Sequence, residues 1–156
     1  MLLTQLFDVD VIDANLRTRQ KKEVFQVLVQ RLADTKRIEN PQRILEEIEA
    51  REIKMNTAIS PGVAIPHART NLVNKLVGSL GISKKGFDYQ AKDGNPVHLV
   101  FLLVSPLQNV SEHIAAMAQI ARLVETPEFY QKLVEASTAE KAFEILQTHE
   151  QRLKGR

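Results

Sequence analysis

The sequence predicts an α/β fold: a mixed, mostly parallel sheet flanked by helices on both faces, a three-layer α/β/α arrangement. Three observations carry this expectation. Strand-like and helix-like patterns intermingle along the whole chain instead of segregating into halves. The segment "PVHLVFLLVSP" is a short, near-continuous apolar run, the pattern of a strand covered on both faces. Stretches around Val24, Ile44 and Met117 each carry one apolar helical stripe, as helices laid on a sheet should.

The elements follow in order. A short strand is expected around Val9–Asp13. Thr18 is placed to cap a helix running to about Ala33, with Val24, Leu28 and Leu32 on one stripe. Asn40 and Pro41 open the next helix, where the proline's missing N–H costs nothing, and Ile44, Leu45 and Ile48 form its inner face. Arg51 follows Ile44 by two turns and so lies near that inner stripe. It is either a cation complementing the helix dipole or a functional group. "LVGSLGISKKGFDY" reads as a strand and turn, and the apolar run "PVHLVFLLVSP" as a strand ended by Pro106. Asn109 or Ser111 caps a helix over about 111–124, Thr126-Pro127 opens another, and Ser137-x-x-Glu140 is a capping box for the last.

Length and composition bound the function. With 156 residues, the chain reads as a single domain over 1–156, without repeat or linker, able to bury about two-thirds of its unfolded surface. Its 21 basic and 19 acidic side chains give a net charge of +2. The basic runs "RQKK" and "SKKG" are short and few aromatics interleave with them, so no nucleic-acid partner is expected. The absence of cysteine excludes disulfides, thiolate catalysis and cysteine–metal sites. The start "MLLTQLFDVDVID" meets an acid by residue 8 and does not read as a signal peptide. No apolar run approaches the about 20 residues that span a bilayer, so a cytoplasmic chain without membrane insertion is expected.

Of four histidines, His149 lies in the polar tail "QTHEQRLKGR" and is expected to be solvated. His98 interrupts a strand near its end and reads as exposed or locally bonded. His113 shares a helix face with Met117, Ile120 and Val124, the pattern of a core histidine. It also falls in the first turn, where free backbone N–H groups favour anions, so a donor to phosphate or carboxylate is the alternative. His67 follows Pro66, which extends Ile65 and offers no N–H to a ladder, while Ser60-Pro61-Gly62 supplies a turn upstream. An extended segment that breaks off there presents its imidazole beside small Ala68, which suits a nucleophile reached from outside.

No zinc-ligand spacing, serine-hydrolase elbow, P-loop or dinucleotide-binding glycine motif is present, and neither metal nor cofactor is expected. Two histidines and an inward arginine suit phosphoryl transfer through phosphohistidine. One imidazole attacks phosphorus while the other and the guanidinium stabilise the equatorial oxygens.

The stretch "ILEEIEAREIKMNTAISPGVAIPHAR" resembles the enzyme IIA domain of the bacterial phosphoenolpyruvate-dependent sugar phosphotransferase system, in its fructose/mannitol and nitrogen-regulatory class. That family places an arginine at a helix end before T-x-I-x-x-G-I/V-A-I-P-H, matched here by Arg51, Thr57, Ile59, Gly62, Val63, Ala64, Ile65, Pro66 and His67. "NPVHLVFLLVSP" and "HIAAMAQIARLV" are similar to its apolar strand and its helix with the second histidine. The resemblance implies that His67 accepts a phosphoryl group through Nε2, with Nδ1–H held by backbone. The donor would be the phosphohistidine of HPr and the recipient a IIB domain, with His113 and Arg51 holding the phosphoryl oxygens. Ser60-Pro61 and Ala68-Arg69 depart from the commoner family text, which has Asn or Lys before the glycine and Gly or Lys after the histidine.

No IIB, IIC or HPr module is read in the chain, and a stand-alone nitrogen-regulatory protein acting on a target protein is the favoured expectation. A sugar-specific IIA component is its alternative. A pure interaction module on the same fold, without phosphate, is the alternative of another class.

Overall fold

The protein is described here by a computed structural model over residues 2–155. A short helix α1 (Leu3–Leu6) leads through a 3-10 turn, Val9–Val11, into strand β1 (Ile12–Asp13). The strand expected around Val9 is thus mostly this turn, nucleated by the Asp8 carboxylate accepting from Val9 N at 2.7 Å. Helices α2 (Lys21–Asp34) and α3 (Pro41–Lys54) follow, then β2 (Ala58–Ser60), β3 (Val63–Ala64), β4 (His67–Thr70), β5 (Val77–Phe87) and β6 (Val97–Pro106). Three helices close the chain: α4 (Val110–Val124), α5 (Pro127–Glu135) and α6 (Ala139–Lys154).

The sheet runs β1-β5-β6-β3-β2, with β4 also paired to β6 beyond the end of β3. The pairings β1–β5, β3–β6 and β4–β6 are parallel, and β2–β3 and β5–β6 are antiparallel. The sheet is mixed, and its longest ladder is the antiparallel β5–β6 pair at its centre. β6 shows why the sheet is covered on both sides. Its Leu99, Phe101 and Leu103 join a core with α1, α4, α5 and α6, whereas Val100, Leu102 and Val104 join a second core with α2 and α3. Each fully buried Leu or Phe contributes about 1.5–3 kcal/mol relative to exposure. Among the described residues no helix is long and apolar enough to cross a membrane.

Several boundaries differ from expectation for local reasons. α2 begins at Lys21 rather than after Thr18, because Gln20 stays extended in a bridge to Asp88 and the Thr18 hydroxyl bonds Glu23 instead of a backbone N–H of the first turn. α6 is capped by Thr138, one residue after Ser137, with the Thr138 hydroxyl accepting from Lys141 N at 3.1 Å. That helix continues to Lys154, so residues 147–154 are not a solvated tail. His149 is 5% exposed, its Nδ1 donates to the Ile145 carbonyl at 3.0 Å, and its ring packs edge-on against Phe129. The neighbouring buried Glu150 accepts from Leu3 N, Thr4 N and the Thr4 hydroxyl, fastening α6 to the start of α1.

Candidate functional site

The segment between β2 and β4 sets the site. Gly62 turns the chain at φ +85°, and a Cβ there would lie 2.0 Å from the Tyr130 hydroxyl, so the turn needs glycine twice over. Val63 and Ala64 then pair with Leu99 and Val100. Ile65 N donates to the Thr57 carbonyl at 3.0 Å and the Pro66 carbonyl accepts from Leu103 N at 3.0 Å. Pro66, lacking an N–H, interrupts the ladder, which resumes with His67 opposite Leu103. His67 therefore opens the second half of an interrupted strand, where an extended segment breaking off was expected. Ala68 and Thr70 turn inward, His67 is half-buried and Arg69 is exposed.

His67 Nδ1 lies 2.8 Å from the Ile65 carbonyl oxygen. A carbonyl only accepts, so Nδ1 carries the proton and Nε2 keeps its lone pair. The pKa of the ring is held below the ordinary histidine value, chiefly by burial. The Ile65 bond opposes that effect, the Arg51 charge adds to it, and the Glu52 charge opposes it. The result is a neutral, nucleophilic imidazole at neutral pH.

His113 is the fourth residue of α4 and is 6% exposed. Its ring centroid lies 5.1 Å from that of His67, and its Nδ1 lies 2.8 Å from the Ser105 hydroxyl. Burial, then the His67, Arg69 and Arg51 charges, push its pKa down to about 4. Ser105 was not singled out in the sequence. Its signal is a hydroxyl at the last position before the proline of an apolar strand, where the buried group needs a partner.

Arg51 lies in the last turn of α3, where Nη1 donates to the Met55 carbonyl at 3.1 Å. It thus sits where a dipole-complementing cation would, and its charge also depresses both imidazoles. The end of α3 is fixed by buried Glu52, which accepts from Thr57 N at 2.9 Å, the Thr57 hydroxyl at 2.5 Å and the Tyr89 hydroxyl at 3.0 Å. Lys21 completes this cluster with an ion pair to Glu52 at 2.8 Å. Through Thr57 and Ile65, the same network reaches the carbonyl that orients His67. Neither Glu52 nor Tyr89 stood out in the sequence, because an acid buried by non-local partners carries no local pattern.

His98 and His149 lie apart from this cluster. His98 Nδ1 donates to the Ser83 carbonyl at 2.9 Å, a local bond of the expected kind. No group of three or more metal-ligating side chains occurs among the described residues. Apolar side chains are also exposed on and next to the elements that carry Arg51 and His113: Ile53 on α3, Met55 and Ile59 just after it, Leu107 just before α4, and Val110 and Ile114 on α4. A nucleophilic nitrogen, a second imidazole and two nearby guanidinium groups within an apolar rim can receive an anionic group from a docked macromolecule.

Comparison with known proteins agrees with this chemistry. Residues 5–149 match the family described as "Phosphoenolpyruvate-dependent sugar phosphotransferase system, EIIA 2". The chain is 32% identical to a nitrogen regulatory protein of Bradyrhizobium diazoefficiens, covering 94% of this chain and 95% of that one. It is 31% identical to the fructose-specific EIIABC component of Bacillus subtilis, covering 96% of this chain but only 24% of that longer protein. The crystal structure of the nitrogen regulatory protein IIA-Ntr from Neisseria meningitidis superposes with a TM-score of 0.83 at 26% identity, covering 92% of this chain and 98% of that one. The chain belongs to the EIIA 2 family of the phosphoenolpyruvate-dependent sugar phosphotransferase system and is one of its phosphocarrier components.

Proposed function

We propose that His67 is the phosphoryl acceptor and that the chain, as a single IIA-type domain over 1–156 in the cytoplasm, takes its phosphoryl group from phospho-HPr. The observation that carries this reading is the bond from His67 Nδ1 to the Ile65 carbonyl, which leaves Nε2 unprotonated on a half-exposed ring. In the transfer, the Nε2 lone pair forms a bond to phosphorus as the donor's P–N bond breaks. The electron pair of that bond returns to the donor imidazole. The positive character gained by the His67 ring is shared with the Ile65 carbonyl through Nδ1–H. Arg51 and His113 hold the equatorial oxygens, and their action is electrostatic. The rim of Ile53, Met55, Leu107 and Ile114 receives the donor and then the recipient.

The recipient is either a regulated target protein or a IIB domain. Similarity along nearly the full length of a nitrogen regulatory protein supports the first reading. Comparable identity to a fructose-specific component supports the second. The test of the carrier function is incubation with phosphoenolpyruvate, enzyme I and HPr. One acid-labile phosphoryl group per chain is expected, with none on His67→Ala. An unmodified wild type that still captured a protein partner would favour an interaction module instead. A pull-down with wild type and His67→Glu separates the recipients. A non-transport protein retained by one charge state alone indicates regulation, and a permease subunit indicates sugar transport.

A further inference from the structure

The strand that carries His67 carries a second reactive-looking group on the same face. Side chains alternate along β4, so His67 and Arg69 point the same way while Ala68 and Thr70 point inward. Residues two apart in a strand are separated by about 6.6 Å, within the sweep of an arginine side chain. Arg69 also stands opposite Ser105 of β6, whose hydroxyl meets His113. Its guanidinium, however, is directed past the imidazoles: Nη2 donates to the carbonyl of Leu107 at 2.5 Å.

Leu107 begins the connection from β6 to α4, and its side chain is 54% exposed. The connection ends at Asn109, which has a left-handed φ of +62°. From the helix side it is held by Asn109 Nδ2 on Glu112 and by the Ser111 hydroxyl on Asn109 Oδ1, both at 2.8 Å. From the sheet side it is held by Arg69. Arg51 makes a parallel contact across the site, on the carbonyl of exposed Met55.

We propose that Arg69 is a further phosphoryl ligand and the residue through which phosphorylation of His67 reaches the apolar rim. In the unphosphorylated chain Arg69 pins the Leu107 carbonyl. Once His67 carries a phosphoryl group, the guanidinium leaves that carbonyl for a phosphoryl oxygen, and the 107–109 connection is released. The proposal rests on the phosphocarrier reading above.

The direction of the exchange follows from the acceptors. A phosphoryl dianion offers the guanidinium a full opposite charge and a fork-shaped pair of acceptors, neither of which the single neutral carbonyl of Leu107 supplies. The Leu107 carbonyl lies beside exposed side chains, so water replaces the guanidinium and no buried acceptor is stranded. The phosphoryl group thereby gives the two loop states different free energies, which any change of partner requires. Leu107 and Val110 are the rim residues nearest the released connection, so that side of the rim changes shape.

The test uses backbone amide NMR of the full chain phosphorylated with phosphoramidate, in which a P–N bond to ammonia is exchanged for one to Nε2. The Gln108 amide, joined to the Leu107 carbonyl, is the reporter. In wild type it should shift on phosphorylation. In Arg69→Gln it should already be displaced before phosphorylation and should lose the further shift. A second measurement needs no variant: the Arg69 Nε–H resonance should move when His67 is phosphorylated. An equal Gln108 shift in wild type and Arg69→Gln, or a stationary Arg69 resonance in the phosphorylated wild type, would overturn the proposal. Phosphoramidate labels an accessible imidazole without the relay. Failure of transfer from phospho-HPr would thus break the carrier reading while the shifts still decide the role of Arg69.

Discussion

His67 and His149 share a tautomer but not a setting. Each donates Nδ1–H to a backbone carbonyl, Ile65 in one case and Ile145 in the other. The Nε2 of His149 is buried between α5 and α6 with no hydrogen-bond partner among the described residues. His67 is half-buried, faces the ring of His113 and feels the charge of Arg51. A fixed tautomer makes an imidazole basic at one nitrogen, and access and neighbouring cations make that nitrogen useful. The carbonyl at His149 belongs to its own helix, so its geometry comes with the fold. The carbonyl at His67 depends on Pro66, Thr57 and Glu52, which come from separate elements.

The largest expected difference between the regions is the simplest to measure. His67→Ala should abolish phosphoryl labelling by the relay, whereas His149→Phe should be labelled at the wild-type rate. Loss of labelling in His149→Phe with an intact fold would erase the distinction. Arg51→Ala and His113→Ala should then each slow transfer by about 2–4 kcal/mol in activation free energy, the scale of a lost oxyanion donor. Arg51→Ala should melt close to wild type, and a matched loss of its stability and rate would assign it a structural role instead. His113→Ala leaves the buried Ser105 hydroxyl without its partner and should also cost about 1–3 kcal/mol of stability, so its rate is read on the folded fraction.

The other region should respond in the opposite sense. Glu150→Ala leaves the first backbone N–H groups of α1 without their carboxylate and should cost about 1–3 kcal/mol of stability. Urea unfolding checks the loss, and relay labelling of the folded fraction should be unchanged.

The smallest effect is on pH dependence. His113 is pushed down to about 4 and His67 lies below its ordinary value, so the folded chain binds fewer protons on these rings than the unfolded chain does. Their contribution to stability is complete above the unfolded pKa of about 6.5 and falls as the pH drops from there through the folded values. Unfolding midpoints at about pH 7.5 and about pH 5 should therefore separate less in His113→Ala than in wild type. Imidazole resonances of His113 that titrate near the ordinary value would contradict this.

Much of this contrast was legible in the sequence where local rules decide. The run Val97–Val104 is apolar at every position but His98 because both of its faces are covered, and Pro41 stands at the first position of α3, where its missing N–H costs nothing, although the Asn40 side chain makes no cap bond. The pairing of His67 with His113 was suggested by the residue types and by the family-like "AIPH" text and by no local spacing, since 46 residues separate them. What was missed depends on contacts distant in sequence. The polar pattern around His149 resembles a solvated tail, but the docking of α6 on α5 and α1 buries it. Ser105, Glu52 and Tyr89 became visible only once β6, α3 and the 88–90 segment were adjacent. Thr138 displaced Ser137 as a cap because neighbouring hydroxyls satisfy the same rule and only the backbone angle chooses between them.

The central claim is that the Ile65 carbonyl fixes the His67 tautomer and so makes Nε2 the acceptor. Its most direct test is 15N–31P coupling in a chain labelled with 15N-histidine and phosphorylated by the relay. The expected spectrum has phosphorus on Nε2 of His67, with Nδ1 still protonated. Phosphorus on Nδ1 of His67, or on any other histidine, would contradict the account.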